Sequence, residues 1–368
     1  MNQETRNVFF ENLDGLRFIA FLAIFCIHAF VSDSGPVVES GLYQFIKAAV
    51  APCWLGVNFF FCLSGFLITY LLVLEKSREN TIHLRKFYTR RILRIWPLYY
   101  ALMLFGFVVF PWMQQQVLGA VSHEPASRWM YLAFLSNFDQ ISNSLPYAPG
   151  LVVTWSLAVE EQFYLIWPLL LTIVPLRYFR HLMAGLLLFS LAFRLGFDAH
   201  EKHTISCIMD LAVGGLVAVL YFEGSKLVDR VSGLSKSWIL LLYSVGIVGL
   251  YVHMSTPLNL RLFISLFMGF VIIEQSFGQH SLIKMKNFPT ISLLGTWTYG
   301  LYILHPIALF VAKNVLDGLP GSGNYPFWNH LLVRPMLAFL LSVAFAFVSY
   351  RLLERPFLRI KERYKVIR

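Results

Sequence analysis

Arg17 and His28 stand eleven residues apart within one apolar run, "LDGLRFIAFLAIFCIHAF", which begins at Leu13. At 3.6 residues per turn, eleven steps bring a helix back to within about 20° of the same face, roughly 16 Å further along. One wall of one helix would then carry a guanidinium, suited to oxyanions, and an imidazole, suited to taking a proton near neutral pH. Asp14, three residues before Arg17, is its neighbour on the helix surface and would hold its side chain. Two carboxylates, Glu160 and Glu161, lie in "TWSLAVEEQFYLIWPLLL". Adjacent residues on a helix point about 100° apart, so both are not expected to serve His28, and Glu160 is the expected orienting group. Arg90, Arg91 and Arg94 cluster in "FYTRRILRIWPLYY", where guanidinium forks would match phosphate oxygens. Tyr299, Tyr302 and His305 share "LGTWTYGLYILHPIALF".

The elements that must position these groups are membrane helices. Of 368 residues, 57% are hydrophobic and only 14% charged, with 34 Phe, a balance outside that of soluble domains. Spans of about 20 residues, enough to cross roughly 30 Å of hydrocarbon, are expected at approximately 12–31, 51–74, 95–113, 153–175, 181–197, 205–222, 237–253, 259–276, 291–313 and 330–352. Basic residues concentrate between the second and third spans and after the tenth, which places both termini in the cytoplasm by the positive-inside rule. That distribution accounts for the net charge of +10 through contact with anionic lipid headgroups, and no nucleic-acid partner is expected. The expected fold is therefore an all-α integral membrane protein, a single domain over 1–368 built as a bundle of about ten transmembrane helices in the plasma membrane. The first span lacks a basic leader and a small-residue cleavage site, so it is read as a signal anchor.

Within those spans the ionisable residues are Asp14, Arg17, His28, Glu160, Glu161, Arg194, Asp210, Arg261, Glu274, His305 and Arg334. Each costs at least about 2.5–3.5 kcal/mol to insert, which makes it a functional candidate. Glu160, Glu161, Asp210 and His305 are expected at the depth of His28, and such convergence implies a cavity, since buried charges face one another or water. Asp210 is assigned either to an ion pair with Arg194 or, with Tyr299, Tyr302 and His305, to the acceptor side of that cavity. Ser64, in "LSGFL", reads as a small residue that lets helices approach closely. The "HEKH" segment from His200 to His203 reads as a wet loop, and no metal is expected. The four cysteines lack ligand spacing and read as packing residues. Gln114 to Gly150, with "RWMYLAFLSNF", is expected to form a lid or acceptor surface, its aromatic piece lying at the interface or in a half-buried helix.

The order of motifs resembles the acyltransferase family 3 membrane proteins, which O-acylate carbohydrates, glycolipids and some antibiotics. The resemblance lies in "DGLRFIAFLAIFCIHAF", "GVNFFFCLSGFLITYLL", "FYTRRILRIWPLYY", "TWSLAVEEQFYLIWPLLL", "LGTWTYGLYILHP" and "SYRLLERPFLR". It covers nearly the whole chain. It assigns the family's essential Arg and His to Arg17 and His28, its acidic motif to Glu160 and Glu161, and its basic motif to Arg90, Arg91 and Arg94. Phe18 stands where the family usually has Gly, a change expected to affect packing, and a fused SGNH hydrolase-like domain is not expected.

The resemblance implies O-acyl transfer, most simply acetyl, from cytoplasmic acyl-CoA to a hydroxyl of a sugar-containing acceptor, free or lipid-linked. No tightly bound cofactor is implied; acyl-CoA is a co-substrate. Arg90, Arg91 and Arg94 would meet its phosphates, with Arg17 and Asp14 guiding the pantetheine arm. His28 would act as general base or as a transiently acylated nucleophile. The rival readings are a multi-span transporter and a relay that hands acyl groups to a separate enzyme.

Overall fold

The computed structural model describes residues 10–118, 124–197, 200–255, 260–320 and 325–364, whose regular elements are all helices, with no strand among them. The principal helices are α1 (Glu11–Ala29), α2 (Gly56–Glu79), α3 (Leu84–Leu104), α4 (Ser136–Ser142), α5 (Thr154–Ile173), α6 (Phe179–Gly196), α7 (Thr204–Phe222), α8 (Lys236–Ser255), α9 (Arg261–Phe277), α10 (Pro289–Thr296), α11 (Thr298–Asp317) and α12 (Arg334–Ser349). Eight helical stretches among the described residues are long and apolar enough to cross a membrane. The expected spans at 153–175 and 259–276 do form helices, α5 and α9, yet stand outside those eight. α5 carries Glu160, Glu161 and Gln162, and α9 carries Arg261, Glu274 and Gln275. In α5 such polar groups lower the mean hydropathy and are tolerated where protein, not lipid, surrounds them, while α9, at 17 residues, is shorter than the eight.

The bundle is held by close backbone approach as well as by apolar side chains. α2 crosses α7 where a Cβ on Gly65 would sit 2.0 Å from the Leu211 carbonyl oxygen, and one on Gly214 would sit 1.8 Å from that of Cys62. Only glycine fits on both sides of that crossing, the small-residue packing that replaces a hydrophobic driving force in lipid. α11 packs on α12 through the buried alanines Ala308, Ala312, Ala338 and Ala346. The flanking helices α6 and α8 leave Leu188, Phe189, Leu240 and Val248 exposed, as a lipid-facing surface requires.

The aromatic piece "RWMYLAFLSNF" folds as two short helices, Arg128–Leu132 and α4, joined at Phe134, whose φ of 56° lies in the left-handed region. Gln162 donates to the Phe134 carbonyl (2.8 Å) and the ring stacks on Tyr99 (4.2 Å between centroids), which holds this strained residue in place. Tyr131, Asn137, Asp139 and Gln140 are buried. The piece thus forms part of the bundle wall; residues 119–123 of the expected lid lie outside the described residues.

Candidate active site

α1 brings Arg17 to a cavity of about 130 Å³ lined also by α2, α3, α5, α10 and α11. Arg17, Arg91 and Arg94 line it, with Glu160, Glu161 and Tyr164. Arg17 is ion-paired with Asp14, as the i,i+3 spacing implies. Arg91 lies over the rings of Phe87 and Tyr164, at 5.5 and 5.3 Å from their centroids, an arrangement that favours a cation away from water. Its Nε has no hydrogen-bond partner among the described residues, nor has Glu161 Oε1. Buried polar atoms left open in a pocket are the mark of a site that completes its bonding with a ligand.

The two glutamates diverge. Glu160 Oε1 accepts from Ser64 Oγ (2.9 Å) and Oε2 from the Tyr164 hydroxyl (2.9 Å), while Glu161 Oε2 accepts from Trp96 Nε1 (3.2 Å). Glu160 therefore does not orient His28, and it lies among the arginines rather than beside the imidazole. Both its oxygens are already held by α2 and by its own i+4 neighbour. Ser64 is likewise a partner of the carboxylate; the close packing expected of it belongs to Gly65. On the remaining walls, Tyr299 donates to the Ile95 carbonyl (2.6 Å), and Tyr302 shares a hydrogen bond with Ser156 (2.7 Å). Gly295 lines the cavity where α10 meets α1, since a Cβ there would fall 2.0 Å from the Asp14 carbonyl oxygen.

Further along α1, His28 meets His305 of α11, with Nδ1 and Nε2 3.0 Å apart and the rings stacked at 5.2 Å. The protons follow from the partners. His305 Nδ1 lies 2.7 Å from the Tyr302 carbonyl oxygen, which only accepts, so Nδ1 carries the proton. In neutral His305 the other nitrogen, Nε2, is then an acceptor, and it takes the proton on His28 Nδ1. His28 is left with its lone pair on Nε2. The local sequence explains why the carbonyl is available. In an α-helix the Tyr302 carbonyl would accept from the N–H of residue 306, and Pro306 has none. "HP" in the sequence thus frees one carbonyl and places beside it the imidazole that takes it.

Other expected site residues lie apart. Asp210 is fully buried on α7 and accepts from Arg261 (2.5 Å), Ser265 (2.5 Å) and Asn58 (2.9 Å). It belongs to neither the cavity nor an Arg194 pair. It faces α2 and α9, whereas Arg194 on α6 donates to the Ser206 carbonyl (2.9 Å). Arg90 turns away from Arg91, 3.7 Å from Glu75 and donating to the Tyr364 carbonyl (2.8 Å). His203 caps α7 by accepting from the Ile205 N–H (3.2 Å), and His200 accepts from that of Lys202 (3.1 Å). Tyr164 and Trp96 were not singled out from the sequence. The i+4 spacing from Glu160 was a signal for Tyr164, but nothing local pointed to Trp96.

The family model described as "Acyltransferase domain" matches residues 10–351. Among curated relatives, the O-acetyltransferase OatA of Staphylococcus aureus (strain NCTC 8325 / PS 47) is 27% identical over 379 residues, covering 95% of this chain and 57% of that protein. The peptidoglycan O-acetyltransferase OatA of Listeria monocytogenes serovar 1/2a is 23% identical over 382 residues, covering 96% of this chain and 57% of that protein. The chain thus spans a little over half the length of these relatives. No solved structure matches it. With its apolar helices and a family match across nearly its whole length, the chain is a multi-pass membrane protein and belongs to the acyltransferase-3 family.

Proposed function

We propose that the protein transfers an acyl group, most simply acetyl, from acyl-CoA to a hydroxyl of a cell-envelope sugar such as that of peptidoglycan. The observation that carries this reading is the pairing, along one helix, of an arginine-lined cavity with an imidazole whose proton is held on Nδ1 by His305. A cavity of about 130 Å³ is small beside typical ligand pockets of ~300–1,000 Å³. It suits the arm of a donor whose nucleotide stays outside, on the side taken as cytoplasmic, and whose thioester reaches past Tyr302 toward His28. Arg17, Arg91 and Arg94 then supply positive charge for the oxygens of the donor, and the open Arg91 Nε supplies a directed donor.

In the chemical step His28 Nε2 takes the proton of the acceptor hydroxyl as its oxygen attacks the thioester carbonyl. The resulting imidazolium donates more strongly from Nδ1 to His305, a charge-assisted bond. Collapse of the tetrahedral intermediate breaks the carbon–sulfur bond, and the proton passes to the departing thiolate. Tyr299 and Tyr302 border the path between cavity and histidine pair. Ten membrane crossings with both termini in the cytoplasm would bring the donor to the arginine end and leave His28 toward the outer face.

The test uses purified protein in proteoliposomes, acetyl-labelled acetyl-CoA and peptidoglycan fragments. Label should pass to the sugar, and His28→Ala should abolish the transfer in protein that remains folded. Folded wild type that shows no transfer, no thioester hydrolysis and no saturable acetyl-CoA binding would rule the donor out.

A further inference from the structure

A second cavity, about 520 Å³ in volume, opens on the opposite flank of α1. Its walls are almost wholly apolar: Ile19 and Ala23 of α1, Ile247 and Leu250 of α8, Phe267 and Val271 of α9. It extends along α8 from Tyr243 to Tyr251, eight residues or about 12 Å. None of the groups in the arginine cavity lines it.

One end is polar. Gln275, two residues before the end of α9 and only 6% exposed, lines the cavity there. Its Nε2 donates to Glu274 Oε2 (2.7 Å) and to the Ile283 carbonyl (2.9 Å). Both partners only accept, which fixes the amide orientation and leaves Oε1 as the remaining atom. Gln275 Oε1 has no hydrogen-bond partner among the described residues, and the neighbouring Glu274 Oε1 has none either. A buried acceptor left open costs about 1–3 kcal/mol, so a donor is missing at this end of an otherwise apolar space.

We infer that this cavity binds one chain of a membrane phospholipid whose headgroup carries a hydrogen-bond donor, ammonium or hydroxyl, presented to Gln275 Oε1. The chain fills the apolar length toward Tyr251, and the head rests at the end of α9, near a membrane face. Water does not fill the space: a molecule at the polar end could donate to the two acceptors there, but along the hydrocarbon walls it would have none of the two to four polar partners that buried water needs. A donor-bearing head distinguishes phosphatidylethanolamine and phosphatidylglycerol from phosphatidylcholine, whose quaternary ammonium has no N–H.

The experiment is native mass spectrometry of the intact protein released from nanodiscs made of each lipid. Wild type should retain one phosphatidylethanolamine or phosphatidylglycerol molecule about two- to tenfold more than phosphatidylcholine, the range set by one hydrogen bond. Gln275→Leu should remove that preference. Ala23→Trp and Ile247→Trp, which fill the space from opposite walls, should lower retention of every lipid, whereas Leu188→Trp on the outer surface of α6 should not. Ile247 is 49% exposed, so its substitution leaves the packed interior intact. Equal retention of the three lipids by wild type, or unchanged retention in both cavity-filling variants, would overturn the assignment.

Discussion

Removing the acceptor on His305 is the sharpest test of how His28 is prepared. In His305→Phe a ring remains but Nε2 is gone, so the His28 Nδ1 proton loses the partner 3.0 Å away. Two consequences follow. The imidazole is free to shift its proton to Nε2, the tautomer that cannot accept from a hydroxyl, and the imidazolium formed during reaction loses a charge-assisted bond. A hydrogen bond to a charged group is worth about 1.5–3 kcal/mol. If that whole amount is felt in the transition state, kcat falls roughly 13- to 160-fold at 1.36 kcal/mol per decade. The KM for acetyl-CoA should hold, because the arginine cavity is untouched. His305→Gln keeps a side-chain acceptor and should recover part of the loss. Pro306→Ala restores an N–H that competes for the Tyr302 carbonyl, so it should cost at most about 0.5–1.5 kcal/mol, or two- to 13-fold in kcat. Steady-state kinetics on each variant in liposomes, with thermal unfolding to confirm the fold, reads these numbers. Wild-type kcat in His305→Phe, or a loss confined to the KM for acetyl-CoA, would refute the tautomer reasoning.

The remaining expectations concern the other charged groups and one close contact. Arg94→Ala should raise the KM for acetyl-CoA by about tenfold or more, the worth of a charged hydrogen bond, while Arg90→Ala should change it little because Arg90 serves Glu75 and the Tyr364 carbonyl. Equal effects in a donor titration would contradict this division. Asp210→Ala leaves Arg261 buried without its carboxylate, which should cost about 3–5 kcal/mol; a melting temperature within a degree or two of wild type would show the pair to be dispensable. Gly295→Ala must push α10 off the Asp14 carbonyl, with an expected cost of about 1–3 kcal/mol and a raised KM for acetyl-CoA, measurable by unfolding and kinetics together. Asp33, outside the helices, is held below the usual carboxylate range chiefly by its hydrogen bond to Lys313. Its contribution is therefore complete above roughly pH 4 and is lost as pH falls through its lowered value. Hydrogen exchange around Asp33 should rise on acidification below roughly pH 4 in wild type and already be high at pH 7 in Lys313→Met; identical profiles would remove the ion pair from that account.

The sequence alone determined the membrane class, the helices and the positions of the chemistry-bearing residues along them. Hydropathy is a property of consecutive residues, and the Arg17–His28 and Asp14–Arg17 spacings are consequences of one helix's geometry. Even the freed carbonyl opposite His305 was written locally, as "HP", although its meaning depends on what lies across from it. Partner choice was decided only in three dimensions. Glu160 was assigned to His28 because both were expected at one depth, yet Ser64 and Tyr164 hold its carboxylate among the arginines. For Asp210 the sequence leaves open an Arg194 pair across a short turn or the acceptor side of the cavity, but the residue faces the other side of α7 and meets Arg261. Arg90 and Arg91 are adjacent in sequence and point about 100° apart, so one turns to Glu75 and the other into the cavity. The reason is common to all three. Periodicity fixes which face of a helix a residue occupies, whereas the rotation and neighbours of that helix are set by contacts such as Gly65 against Leu211 and Gly295 against Asp14, between residues far apart in the chain.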